Sequence, residues 1–346
     1  MLMLRRKFIE NSFLLATITG LRTRISEDFN TYLANDKNTM ENARLVLLTM
    51  QRQSREQGMA SQAFLDSGDY NLVELITFET IYYLTNSSES EKEKSLSDAS
   101  MAGEAIVFTA QETKDKSITE VVNNITSYIL DQVPEIEKNI YLYNDQEVTL
   151  ASVFQILPFL AAAGYADEAY SQVIALKNLL LDKKKNLFYP AYNVLKKEIT
   201  QEGFWGSGNG LVIAGLTRIL RYIPSQMEEE KEELTELLNS LIDGCLAYIR
   251  DDGLFHNIID DPTSFVETNL SQMLAYAIFS GIYYGRLDFK YREKADLMRK
   301  AANSKIDAHG FVNEVCNFTD RSTPCKSAEG QVFYILMETA ANRLYH

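Results

Sequence analysis

Along most of the chain, apolar residues recur at intervals of three and four, which places a continuous stripe on one side of an α-helix. Between 264 and 285, Val266, Leu270, Met273, Leu274, Ala277 and Gly281 fall on one face. Between 211 and 223, Val212, Leu216, Ile219, Leu220 and Ile223 do the same, until Pro224 stops the helix. The same patterning predicts helices near 40–57, 70–85, 102–114, 150–163, 166–181, 228–250, 291–304 and 328–344. Pro158 inside the apolar 150–163 segment predicts a kink. Three S-x-x-E strings have the form of capping boxes and mark further starts: Ser117 with Glu120, Ser225 with Glu228, Ser264 with Glu267. No stretch shows the alternating, β-branched texture of strands in series.

Short aromatic returns separate the helices: Asn186-Leu187-Phe188-Tyr189, Asp252-Gly253-Leu254-Phe255-His256 and His309-Gly310-Phe311-Val312. Each follows a pair of helices, the mark of a repeated helical hairpin. Helix pairs that close into a ring make an all-α (α/α)₆ barrel, and the length allows six pairs. Residues 1–38 lie outside this rhythm as an N-terminal extension, and 39–346 form one barrel domain. The Ser/Glu/Lys-rich stretch 86–100 is expected as an exposed loop.

Composition narrows the function classes. The 346 residues include 46% apolar and 24% charged ones, as in an ordinary soluble globular protein. The formal charge of −14 leaves no basic stripe for nucleic acid and repels a long polyanionic polymer. Three cysteines make no disulfide framework and fit a reducing compartment or incidental core thiols. No apolar run has the length of a membrane span. Arg5-Arg6-Lys7-Phe8 before the apolar stretch Phe13 to Leu21 resembles a twin-arginine export signal. Glu10 and Asn11 interrupt it and no small-x-small cleavage site follows, so a cytoplasmic location is expected, with export the alternative.

The strongest local string is Phe204-Trp205-Gly206-Ser207-Gly208-Asn209-Gly210, set directly before a helix. Glycines there let a ligand approach the helix amides, and an indole beside them suits the C–H face of a sugar. A tight turn with Trp205 in the core explains the same residues. It is not a phosphate loop, because no lysine follows and no strand precedes. A second cluster runs from Arg250-Asp251-Asp252 through His256 to Asp260-Asp261-Pro262 and Glu267, and could supply acid–base chemistry. Each member has a plainer role in a turn or a cap, and Glu267 is foremost a capping residue. A third string, Ser327-Ala328-Glu329-Gly330-Gln331, opens the last helix, where Glu329 complements the helix dipole. No G-x-S-x-G string appears, and His309, Cys316 and Cys325 lack metal-site spacing.

Taken in order, these strings resemble glycoside hydrolase families 105 and 88, the unsaturated rhamnogalacturonyl and glucuronyl hydrolases. The order is Pro158-Phe159-Leu160-Ala161, Leu187-Phe188-Tyr189, Trp205 with Gly208-Asn209-Gly210, Asp252-Gly253, Glu267-Thr268, then Ala328-Glu329-Gly330-Gln331. The resemblance implies a six-hairpin barrel with its site at one end. It also implies hydration of the C4=C5 double bond of a terminal unsaturated uronic acid in a short oligosaccharide, with no metal or organic cofactor. Its first aspartate falls on Asp98, five residues before Gly103. Its essential aspartate falls on Ala151, its histidine on Pro190, its arginine on Ser207 and its closing tryptophan on Leu211. This chain is therefore expected to be a divergent hydrolase. Asp98 with Glu147 (or Asp145) is the expected acid–base pair, Trp205 stacks on the sugar, and Ser207, Asn209 and His256 complete the binding set. Glu147, four residues before Ala151, would share its face if the helix reached that far. The alternative is a pseudoenzyme that binds a saccharide or a partner without turnover.

Overall fold

A computed structural model describes residues 39–346 apart from 89–90, 137–139, 143–145, 200–202 and 317–322. Its order is α1 (Thr39–Met50), α2 (Ser54–Ser67), α3 (Tyr70–Asn86), α4 (Lys92–Ser100), α5 (Gly103–Thr113), α6 (Lys116–Asp131) and α7 (Ser152–Gln155). Then follow α8 (Leu157–Ala162), α9 (Ala166–Leu180), α10 (Gly206–Ile219), α11 (Glu228–Leu246), α12 (Asn269–Tyr283), α13 (Arg292–Asn303) and α14 (Ala328–Tyr345).

Six helical units form the inner ring: α2, α4–α5, α7–α8, α10, α12 and α14. Each packs on the next, and α14 packs back on α2 to close the circle. Outside stand α1, α3, α6, α9, α11 and α13, which return the chain so that every inner unit enters from the same end. The all-α (α/α)₆ barrel is thus the fold. Amphipathic outer helices such as α6 bury one stripe (Ile118, Val121, Ile125, Ile129), whereas α10 and α12 are buried almost all round. The inner helices meet closely. A β-carbon on Gly215 of α10 would lie 2.1 Å from the Val153 carbonyl oxygen of α7, so only glycine lets these two backbones touch.

Two inner units are broken. Ile156, at φ −125°, separates α7 from α8 just before Pro158, whose missing amide and ring bulk forbid a continuous helix. The expected kink at Pro158 is this break. Where a loop was expected over 86–100, Lys92–Ser100 forms α4, which buries Leu96 and Ala99.

The three S-x-x-E strings do not act as capping boxes. Asp115, not Ser117, caps α6, and Met227 precedes α11 without a side-chain cap. At the third, Val266–Glu267 pairs with Phe255–His256 as a two-stranded ribbon, delaying α12 to Asn269. The capping box that does form joins Gln53 to Glu56 at the start of α2.

The barrel axis is filled. Toward the C-terminal ends of α2 and α10, fully buried Arg218 grips Glu104 through Nε (2.7 Å) and Nη2 (3.1 Å), and reaches Asp66 through Nη1 (3.1 Å). Arg221 makes a two-pronged bond to Asp66 at 2.6 and 2.8 Å, and the Tyr222 hydroxyl donates to Glu104. Burial by itself would raise the Asp66 carboxyl, but Arg221 and Arg218 outweigh it and hold it well below the usual carboxylate range.

Candidate active site

The inner helices bring their N-terminal ends to one end of the barrel, where the residues singled out by sequence gather. They do not form one cluster. Trp205 is buried, its indole lying over Gly208 of its own helix, and its Nε1 donates to the Cys316 thiol at 3.3 Å. Asn209 is buried and spends its amide on the backbone, accepting from Phe188 N at 2.7 Å and donating to the Phe188 and Trp205 carbonyls. Ser207 is buried against Asn269. All three side chains expected to touch a sugar are buried here, and the glycines admit Trp205 itself. His256 is half-buried, with Nδ1 donating to the Ser264 carbonyl at 2.7 Å and Nε2 accepting from Arg250 at 3.1 Å. Those partners assign its tautomer and occupy both nitrogens.

The two expected catalytic carboxylates line different recesses. Asp98 faces a groove of about 630 Å³ between α2, α3 and α4, together with Gln51, Gln57, Glu79, Tyr83, Glu91 and Lys94. There Ser54 Oγ donates to Asp98 at 3.1 Å, and Gln57 Nε2 donates to Glu79 at 2.6 Å. Glu147 lines a smaller recess of about 170 Å³ with Ala151, Tyr141, Gln155, Ser97 and Met101. Glu147 also sits in a short strand, Glu147–Thr149, not on the helix that begins at Ser152, so the helical-face argument for it fails. Glu147 and Ala151 still meet in one recess, because Glu147 pairs across to Asn193 and the chain turns at Leu150. Asp145 lies outside the described residues.

A second carboxylate beside Asp98 was therefore missed. The available signal was an acid three residues after Ile76 on the buried side of α3, where Glu79 retains only 7% exposure. On the axis side of the same end, Arg55 Nη2 pairs with buried Glu329 at 2.9 Å and ties the first inner helix to the last. Among the described residues, no group of three or more His, Cys, Asp or Glu is placed to hold a metal ion, and no helix is long and apolar enough to cross a membrane.

Glu267 is fully buried at the head of α12, where it accepts from the Asn269 and Leu270 amides. Burial pushes its carboxyl up to about 7, against the opposing pull of the backbone amides. A raised folded-state pKa adds stability that is fully present below the unfolded value and is lost as pH rises through the folded one. Between about pH 4.5 and about pH 7, Glu267 should therefore withdraw about 3 kcal/mol. Thermal unfolding midpoints measured across that window should fall with pH. A profile flat from about pH 5 to about pH 8 would contradict this assignment.

The family model described as Glycosyl Hydrolase Family 88 matches residues 35–345. The chain belongs to that family. It is similar to the unsaturated rhamnogalacturonyl hydrolase YesR of Bacillus subtilis (strain 168), with 25% identity over 251 residues covering 66% of this chain and 68% of the relative. It is also similar to the unsaturated 3S-rhamnoglycuronyl hydrolase of Alteromonas sp. (strain LOR), 22% identical over 174 residues that make up 49% of this chain and 42% of that one. Among solved structures, a possible GH105 member from Salmonella enterica superimposes with a TM-score of 0.76 at 15% identity, covering 90% of this chain and 94% of that one. The unsaturated glucuronyl hydrolase of Bacillus sp. GL1 gives 0.60 at 14% identity, with 84% of each chain covered. These neighbours share the barrel. In this family 88 chain, the groove of Asp98 and Glu79 offers what acid–base chemistry needs: two carboxylates facing one solvent-reached space, each oriented by a neutral hydrogen-bond donor.

Proposed function

We propose that this family 88 chain is a glycoside hydrolase of the unsaturated uronyl hydrolase type, acting on a short oligosaccharide. The family match over residues 35–345 carries this reading. In the reaction that the resemblance implies, a carboxylic acid delivers a proton to the C4=C5 double bond, water adds at C5, and the hydrated product opens to release the neighbouring sugar. Asp98 is the proposed acid, with Glu79 as the second carboxylate that can take a proton from the water. A pseudoenzyme is the weaker alternative, because the groove keeps both carboxylates although Ala151, Pro190 and Ser207 depart from the family pattern.

The test is direct. The purified chain, incubated with disaccharides bearing an unsaturated uronate, should remove the ultraviolet absorbance of the conjugated double bond. No decay with either glucuronyl or rhamnogalacturonyl substrates, by a chain shown to be folded, would leave a saccharide-binding protein without turnover.

A further inference from the structure

Resting on that hydrolase reading, we infer that the groove between α2, α3 and α4 is a saccharide subsite for a single terminal uronate, in which Tyr83 is the stacking platform, Gln51 a hydroxyl donor and Lys94 the carboxylate anchor. The residues predicted from the family strings leave the sugar-binding role vacant, because Trp205 is buried and its indole N–H is spent. The groove fills it from different elements. At about 630 Å³ it lies within the size range of small-ligand sites. Tyr83 lines one wall at 49% exposure, and its ring meets Tyr82 edge-on at 5.8 Å, which limits its swing. An exposed aromatic face beside amides and carboxylates is the composition a pyranose needs: C–H groups for the ring, donors and acceptors for the hydroxyls.

Gln51 supplies an independent observation. It lines the groove at 6% exposure, and its Nε2 has no hydrogen-bond partner among the described residues. A buried amide donor left unpaired is costly, and a ligand oxygen would satisfy it. Lys94 stands four residues before Asp98 on α4, so the two project along the same side of the helix. Lys94 is exposed, lines the groove, makes no hydrogen bond to a described residue and stands in the field of Glu91. An ammonium one turn from the proposed acid places a uronate carboxylate beside Asp98 and its double bond within reach of the proton. Three carboxylates (Glu79, Glu91 and Asp98) against two cations (Arg52 and Lys94) leave the groove slightly acidic, which tolerates a ligand with one negative charge held at Lys94 and repels a densely charged one.

Binding separates this inference from hydrolysis. In an Asp98→Asn background, which blocks the proposed proton transfer, calorimetric titration uses an unsaturated-uronyl disaccharide whose second sugar is neutral. Tyr83→Ala should weaken binding by about threefold to tenfold. Lys94→Gln should weaken it by about tenfold or more and erase the preference over a neutral disaccharide of the same size. Both positions are exposed, so unfolding midpoints should not move. Equal affinity in parent and variants, or no binding by the parent, overturns the inference. If Asp98→Asn abolishes decay in the otherwise natural chain while Tyr83→Ala and Lys94→Gln leave KM unchanged, hydrolysis stands and the groove assignment falls. If no decay is ever seen but both variants lose the disaccharide, the groove stands and hydrolysis falls.

Discussion

Replacing Arg218 by methionine should destabilise the barrel by about 3–5 kcal/mol, measured as a shift of the urea unfolding midpoint. The side chain is fully buried and serves two carboxylates at once. Asp66 would keep Arg221, but Glu104 would be left buried with only the Tyr222 hydroxyl, an uncompensated charge far from water. The companion variant makes the result diagnostic. Arg218→Met with Glu104→Met removes both members of the pair, and should recover most of the loss, since an apolar pair of similar volume is often neutral or better. A loss below about 1 kcal/mol in the single variant would mean that water or a shifted side chain already serves Glu104. The remaining Asp66–Arg221 pair also sets an acid limit. With its pKa depressed in the folded state, Asp66 contributes stability that is complete above its ordinary value and is lost as pH falls through the depressed one. That limit lies on the opposite side of the scale from the window assigned to Glu267.

Asp98→Asn should reduce turnover of an unsaturated disaccharide by about a hundredfold or more, the scale on which positioned acid–base groups act. The asparagine keeps the hydrogen bond from Ser54 and the shape of the groove while removing the proton, so KM should change little. Glu79→Gln should slow the reaction as well. Glu147→Gln should leave the rate within about threefold, because Glu147 faces the smaller recess. The same geometry changes what Ala151→Asp would do. A carboxylate at 151, where the resemblance places the essential aspartate, would not pair with Asp98. Half-buried beside Glu147 instead, it would face that residue and should not raise the rate. A large loss in the Glu147 variant with little in the Asp98 variant would put the chemistry in the smaller recess.

The barrel was legible because a helix announces itself through a 3.6-residue apolar repeat, and the outer helices α6, α11 and α13 carry that repeat most clearly. Helix α4 was not, since Lys92, Glu93 and Lys94 look like loop composition, and only packing of Leu96 and Ala99 turns them into a helix. Capping was misplaced for a related reason. Ser264 and Glu267 have the right spacing, but ribbon pairing with Phe255–His256 takes the backbone that a helix would need. At the candidate groove, the resemblance points to Asp98 through its distance to Gly103. Exposure could not: whether an indole among glycines opens to solvent or folds over its own helix depends on which neighbour fills the space, here Leu150 and Cys316. Glu79 and Tyr83 were invisible because their groove is assembled from helices that no local string connects.

The closure of the ring between its first and last inner helices sets an order for biogenesis. Arg55 meets Glu329 across 274 positions of chain, and the Gln331 amide donates to the Ala43 carbonyl on the first outer helix at 3.2 Å. Neither contact exists until the last helix has left the ribosome. At about 5–20 residues per second, the first inner helix waits roughly 15 to 60 seconds for its final neighbour. Throughout that interval a flank of α2 that the finished barrel buries is open to other nascent chains and to chaperones. Translation speed over the last hairpin therefore bears on yield in a way that no single side chain does.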